Sequence, residues 1–300
     1  QHIAHQETAD CFYFIADYHA LTTVHDASKL RELTHDVALD YLALGLDPDK
    51  ATFFRQSDVP EVTELSWILA TVTNMGLLER AHSYKDKISQ GIEASVGLFF
   101  YPVLMAADIL IYRSDVVPVG KDQVQHIEMT RDMAQRFNVR FGEVFPLPTF
   151  RHDAASKVPG IDGQKMSKSY DNTVEIFMEG KPLKKRVMSI VTNSQSVEDS
   201  KNPEECNVFA MYSLFATEQE REELAERYRA GGMGYGDAKK QLLEKINERF
   251  AEPRARRKEL ASNPEQVEEM LRHGAEKARV EARKTIEMVR EAVGMRPAPV

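Results

Sequence analysis

Lys165-Met166-Ser167-Lys168-Ser169 places two ammonium groups three positions apart among small side chains. The turn formers Pro159-Gly160 and Asp162-Gly163 stand just upstream, so the stretch reads as a mobile loop and not as a helix. Mobile ammonium groups suit one task well, the neutralisation of charge that builds on phosphate oxygens in a transition state. A solvated basic loop is the plainer reading of the same five residues.

A second set lies on one helical stripe. Tyr101, Met105 and Asp108 are spaced i, i+4, i+7, with the small residues Ala106 and Ala107 beside them. An acid on an otherwise apolar stripe must find a partner or stay wet. Asp108 is either a carboxylate at the floor of a pocket, accepting a hydrogen bond from an apolar ligand, or part of a salt bridge at a helix end. Gly120-Lys121-Asp122-Gln123 follows a strand and opens a helix. Gly120 permits close backbone approach, free N–H groups face outward, and Asp122 suits a ribose hydroxyl pair or serves simply as a helix cap. The stretch is neither a Walker loop nor a G-x-G-x-x-G fingerprint. His19 reads as a ligand-side residue or a plain turn residue, and Lys85 and Lys87 as a cation pair or solvated surface. The basic runs Lys181, Lys184, Lys185, Arg186 and Arg254, Arg256, Arg257, Lys258 read equally as nucleic-acid contacts or as helix surface.

The elements that must position these residues alternate in the first half. Cys11–Ala16 and Ala51–Gln56 read as strands, and Val116–Val119 as a third. Helices are expected over Ser28–Leu44, stopped by Gly45, and over Val59–Leu78, Tyr101–Tyr112 and Asp122–Asn138. Alternation of this kind implies a parallel sheet with its ligand beyond the carboxyl ends of the strands. The polar groups Asp17/His19, Ser57/Asp58 and Gly120/Asp122/Gln123 all fall there. After Thr173 the pattern is helical: Pro182–Ile190, Glu204–Leu214, Glu218–Arg229, Tyr235–Phe250, Pro264–His273 and Ala275–Val293. The expected architecture is α/β, a Rossmann-like parallel-sheet nucleotide-binding domain over 1–178 followed by an all-helical domain over 179–300. The last helix is free to pack back on the first domain.

Composition narrows the class. With 42% hydrophobic and 29% charged residues the chain is that of a globular protein with a sizeable core, and no apolar run is long enough for a membrane span. A net charge of −8 argues against coating nucleic acid through global charge but leaves room for a local basic face. Two cysteines, Cys11 and Cys206, supply neither a disulfide framework nor a four-ligand zinc site, so a cytoplasmic setting without bound zinc is expected.

Taken together, Asp17-Tyr18-His19-Ala20, Tyr101-Pro102, Met105-Ala106-Ala107-Asp108-Ile109-Leu110, Val117-Pro118-Val119-Gly120-Lys121-Asp122-Gln123 and the Lys165–Ser169 loop resemble the bacterial tryptophanyl-tRNA synthetases. Gly234-Tyr235-Gly236 and Gly274-Ala275-Glu276-Lys277-Ala278 extend the resemblance into the helical half. It implies that Asp108 accepts the indole N–H of L-tryptophan, Met105 packs on the indole, and Tyr101 with Gln123 holds the α-ammonium. His19 matches a position in the amino-acid pocket. Gly120, Lys121 and Asp122 would hold the ATP ribose side, Val158 the adenine side, and Lys165, Met166, Ser167, Lys168 and Ser169 the triphosphate. Lys87 resembles a further lysine that reaches the pyrophosphate.

The reaction so implied activates tryptophan with Mg²⁺·ATP to the adenylate and then transfers it to tRNA(Trp), with Lys165 and Lys168 stabilising the leaving pyrophosphate. The second domain would bind the anticodon, and the protein would be a homodimer. The family opens with a strand and a Gly-rich ATP signature upstream of the position of Gln1, so Gln1–Thr8 is expected to enter the first helix midway. Rival readings are tyrosyl-tRNA synthetase, a small-acid adenylating ligase, and a truncated, non-catalytic tRNA- or partner-binding module.

Overall fold

The computed structural model describes residues 2–81, 95–151 and 158–295. The chain divides into two compact units, Gln1–Ala154 with Glu259–Val300, and Ala155–Lys258. The expected boundary after residue 178 falls inside the second unit.

In the first unit, strand β1 (Phe12–Ile15) pairs in parallel with β2 (Thr52–Arg55), with Phe12 opposite Thr52 and Ile15 opposite Arg55. The short helix α1 (Asp17–Ala20) follows β1, and α2 (Ala27–Ala43) connects the two strands. Asp26 caps α2 by accepting the Lys29 N–H at 2.8 Å, and Gly45, at φ +103°, supplies the left-handed stop just beyond its end. The single long helix expected over Val59–Leu78 is instead two, α3 (Glu61–Ala70) and α4 (Met75–Glu79). The Thr71 and Thr73 hydroxyls donate back to the Ile68 and Leu69 carbonyls, and this local competition with the helical ladder ends α3.

Helix α5 (Val96–Leu110) starts earlier than the expected Tyr101, because Ser95 caps it by accepting the Leu98 N–H and Pro102 is accommodated inside. Strand β3 (Val116–Pro118) leads through a 3₁₀ turn, Lys121–Gln123, into α6 (Val124–Phe141). Strand β4 (Thr149–Arg151), which carries no clear sequence signal, pairs in parallel with β3. Among the described residues the expected parallel sheet is thus two parallel pairs.

The core of this unit gathers Phe54, Leu65, Leu69, Val103, Leu110, Met133 and Phe137 with Ala278, Ala282 and Ile286 from the last helix, α11 (Pro264–Ala292). Two helices broken at Gly274 were expected; α11 runs through it. A Cβ at Gly274 would stand 1.8 Å from the Phe53 carbonyl oxygen, so this glycine permits backbone contact with β2 and does not stop the helix. Ion pairs seat the same helix: Arg279 and Arg283 on Glu61, Arg290 on Glu64, and Glu268 on Arg55.

In the second unit the helices α7 (Gly180–Met188), α8 (Asn207–Tyr212), α9 (Glu218–Ala230) and α10 (Tyr235–Ser262) bury Leu183, Val187, Val208, Leu224, Tyr228, Leu242 and Ile246. Thr217 and Glu220 close a capping box at the start of α9. The expected end of α10 at Phe250 is passed, with Pro253 inside the helix. The fold class is therefore α/β, with a helical second unit. Among the described residues no helix is long and apolar enough to cross a membrane.

Candidate active site

Strand ends supply the setting of the first cluster. β1 leads into Asp17 and β2 into Gln56-Ser57, side by side because the strands are parallel and in register. Asp17 ties the ends together: one carboxylate oxygen accepts the Tyr18 and Ser57 N–H groups at 3.0 Å each, and the other accepts the Ser57 hydroxyl. This places His19, on α1, against Asp108 on the buried face of α5.

Asp108 is only 3% exposed. His19 Nε2 lies 2.8 Å from its Oδ2, and Gln56 Nε2 donates to Oδ1 at 2.8 Å and to Oδ2 at 2.9 Å. Burial pushes the Asp108 carboxyl above the usual carboxylate range, against the lowering influence of His19 and Gln56. One stripe residue and one turn residue, far apart in sequence, are thus brought into contact. Of the two readings of Asp108 in the sequence, the contact with His19 is the one seen directly.

Tyr101, two turns before Asp108, sets its hydroxyl 2.8 Å from His126 Nε2 on α6, and its ring stands edge-on to His19 at 6.2 Å. Burial pushes the Tyr101 phenol up to about 12, so it remains protonated across the neutral range. Met105 is half-buried on the same helix. At the start of α6, Gln123 Nε2 donates to Asp122 Oδ2 at 2.9 Å. A Cβ on Gly120 would lie 2.7 Å from Asp122 Oδ1, which explains why the residue ahead of this turn has no side chain. Lys121 is exposed. Lys85 and Lys87 lie outside the described residues.

The cationic loop lies in the other unit and is built differently. Pro159 and Lys165 form an antiparallel bridge, and the Met166 N–H donates to the Val158 carbonyl at 2.9 Å. Met166 packs against the helical core while Lys165 and Lys168 are exposed. Lys168–Tyr170 closes a 3₁₀ turn, and Asp171 leaves it at φ +46°. The organiser of the loop is Asn172, 1% exposed. Its Oδ1 accepts the Ser167 N–H at 2.7 Å, and its Nδ2 donates to Asp162 Oδ1 at 2.9 Å and to the Lys165 carbonyl at 3.1 Å. Arg186 fastens the exit by donating to the Thr173 carbonyl at 2.7 Å and to Asp171.

Two expectations about basic residues change accordingly. Arg186 is committed to the loop, leaving Lys181, Lys184 and Lys185 exposed on α7. Arg254 is buried, donating to the Ile176 carbonyl and Asn247, while Lys258 pairs with Glu179. Two members of that second cluster are thus engaged within the protein. Sequence reading missed three contributors: Gln56, His126 and Asn172. Only Gln56 carried a usable signal, since it immediately precedes the polar pair at the end of β2. Among the described residues no group of three or more His, Cys, Asp or Glu side chains is placed to hold a metal ion.

The family model for class I tRNA synthetases (W and Y) matches residues 2–251. The tryptophan–tRNA ligase of Rhodopirellula baltica is 54% identical over 297 residues, 99% of this chain and 93% of the relative. That of Fusobacterium nucleatum is 53% identical over 97% of this chain and 90% of the relative. Among solved structures, the tryptophanyl-tRNA synthetase of Campylobacter jejuni, complexed with ADP and tryptophan, matches with a TM-score of 0.94 at 49% identity. It covers 97% of this chain and 92% of that one.

Proposed function

From the membership of this chain in the class I tRNA synthetases of the tryptophan and tyrosine type, we infer which of its residues carry out the reaction of that family. Its function is that of a tryptophan–tRNA ligase: it is an enzyme that activates L-tryptophan with ATP and transfers it to tRNA. The observation that carries the residue assignment is the buried, hydrogen-bonded carboxylate of Asp108.

An indole ring donates a single hydrogen bond, and an ionised carboxylate is a pure acceptor. Asp108 therefore rewards the indole N–H and is left short of a partner by a ring without one, a penalty far larger than a missing methylene would bring. Met105 packs on the indole, His19 lines the pocket, and Tyr101 with Gln123 takes the α-ammonium. Gly120, Lys121 and Asp122 hold the ribose side of ATP and Val158 the adenine side. Magnesium enters with ATP as the substrate complex.

The tryptophan carboxylate attacks the α-phosphorus, the bond to the bridging oxygen breaks, and pyrophosphate leaves. Lys165 and Lys168, with Lys87, neutralise its charge, and the Met166, Ser167 and Ser169 stretch carries the two lysines. The terminal ribose hydroxyl of the tRNA then attacks the activated carbonyl, and AMP leaves. No side chain serves as nucleophile; the protein positions and neutralises.

The tRNA would be tRNA(Trp), with Lys181, Lys184 and Lys185 on α7 suited to its phosphates. A homodimer is the proposed assembly. Trp67 is 68% exposed at a shallow apolar hollow of about 280 Å³ shared with Tyr18, Phe100 and Leu104, the sort of patch a second copy covers. The cytoplasm is the proposed setting, with Cys11 and Cys206 as free thiols. Tryptophan-dependent ATP–pyrophosphate exchange tests the reading, with tyrosine as control. Exchange with tryptophan alone is expected; exchange driven by tyrosine, or none with tryptophan, overturns it.

A further inference from the structure

We propose that Gln56 is a positioning residue for tryptophan recognition, aiming the Asp108 carboxylate so that a single lone pair, on Oδ1, is left for the indole N–H. The proposal rests on the assignment of Asp108 as indole acceptor and adds a residue that acts only through it.

Gln56 is 1% exposed and opens the 3₁₀ turn that follows β2. Its Oε1 accepts the Tyr18 N–H at 3.1 Å, and its Nε2 faces both oxygens of Asp108. The first contact decides the second. Rotating the amide by half a turn would set its NH₂ against the Tyr18 N–H, donor against donor, and its oxygen against a carboxylate. The amide is thereby locked as a donor toward Asp108.

The count of acceptor sites then fixes the geometry. Oδ2 is approached by both Gln56 and His19, whereas Oδ1 is approached by Gln56 alone. A carboxylate oxygen has two in-plane lone pairs, so Oδ2 is filled and Oδ1 retains one. The charged and titratable groups around this carboxylate are His19 on α1, Asp17 at the end of β1, and Tyr112 just beyond α5. Asp17 and burial both oppose its ionisation. A donor amide that cannot turn round opposes that drift, because it binds the ionised carboxylate better than the neutral acid.

The link also joins recognition to the scaffold. Through Tyr18, Gln56 couples the carboxylate to α1, the helix that carries His19, so the two groups on Oδ2 are set by one buried amide.

The test is exchange kinetics on the full chain with tryptophan and with 3-(benzothiophen-3-yl)alanine, an isostere whose sulfur replaces the N–H. Gln56→Met keeps the volume and removes the donor. Its KM for tryptophan should rise about 10- to 100-fold, as for loss of a buried hydrogen bond to a charged group, with the KM for ATP changed by less than about twofold. The preference for tryptophan over the isostere should shrink, and the fall of tryptophan affinity with acid should move to higher pH.

Gln56→Glu separates orientation from packing. The introduced carboxyl can donate to Asp108 only when protonated, so this variant should bind tryptophan poorly at alkaline pH and recover as pH falls, opposite to the wild type. If Gln56→Met does not fold, that reversal alone decides. An unchanged KM and preference in Gln56→Met overturns the proposal, as does an equal loss for tryptophan and the isostere. Absence of tryptophan-dependent exchange in the wild-type chain would instead sink the underlying assignment of function.

Discussion

Asp108 and Lys168 carry opposite charges in opposite surroundings. The carboxylate is almost wholly buried, and Gln56 and His19 fix where its remaining lone pair points. The ammonium groups of Lys165 and Lys168 are exposed, and what is held is the backbone beneath them, by the buried amide of Asn172. Discrimination between similar rings needs a rigid, desolvated acceptor, because the penalty for the wrong ligand is the cost of leaving a buried group unpaired. Neutralising a triphosphate needs charge on long, mobile stems, because the charge to be met shifts during the reaction. In the function proposed above, both designs occur in one protein, each in its own unit.

Replacement of the carboxylate should break the comparison most severely. Asp108→Asn is expected to lower kcat/KM for tryptophan about 1,000-fold, as when a buried charge loses its role, while the KM for ATP hardly moves. Equal losses for both substrates in steady-state exchange would mean that Asp108 merely supports the fold. Lys165→Ala and Lys168→Ala should each reduce kcat about 100-fold, the usual loss for one transition-state charge contact, with an unaltered KM for tryptophan. Single-turnover adenylate formation reads this step directly; a pure KM effect would remove the loop from the chemistry.

Asn172→Ala asks whether the exposed half depends on its buried anchor. Its three hydrogen bonds should be worth about a tenfold loss in kcat, and the loss should not add to that of Lys168→Ala. Full additivity in the double variant would show that Asn172 stabilises the unit without aiming the loop.

The smallest effect concerns pH. On the proposed assignment the indole N–H needs the ionised form of Asp108, whose pKa lies above its ordinary value of 3.8. Tryptophan affinity is therefore complete above the raised pKa and falls as pH drops through it, at a higher pH than an unperturbed aspartate would show. KM for tryptophan measured from pH 8 downward should rise in acid, and the rise should vanish in Asp108→Asn.

The two clusters were also unequally legible in the sequence. The loop lysines are contiguous, and their turn formers stand beside them, so local chemistry sufficed. The stripe Tyr101, Met105, Asp108 was visible from helical spacing, and strand ends already singled out Asp17 and Ser57. Gln56 stands beside that polar pair, but its role was not legible, since its partners Tyr18 and Asp108 lie 38 and 52 residues away. Gly274 was misread for the same reason: a local rule makes glycine a helix stop, while the Phe53 carbonyl makes it a contact. The break after α3 went unread because apolar periodicity continues past Thr71 and Thr73, whose hydroxyls turn back on the helix.

What the sequence determined by itself is what short-range physics decides: alternation of strands and helices, the cationic loop, and an acid on an apolar helical stripe. Those follow from backbone propensities and spacing within a few turns. The tertiary structure alone decided that Asp108 meets His19 and Gln56, that Asn172 lies beneath the loop, and that Arg186, Arg254 and Lys258 are already engaged. Such pairings depend on burial and on contacts between distant segments, which exist only once the chain has packed.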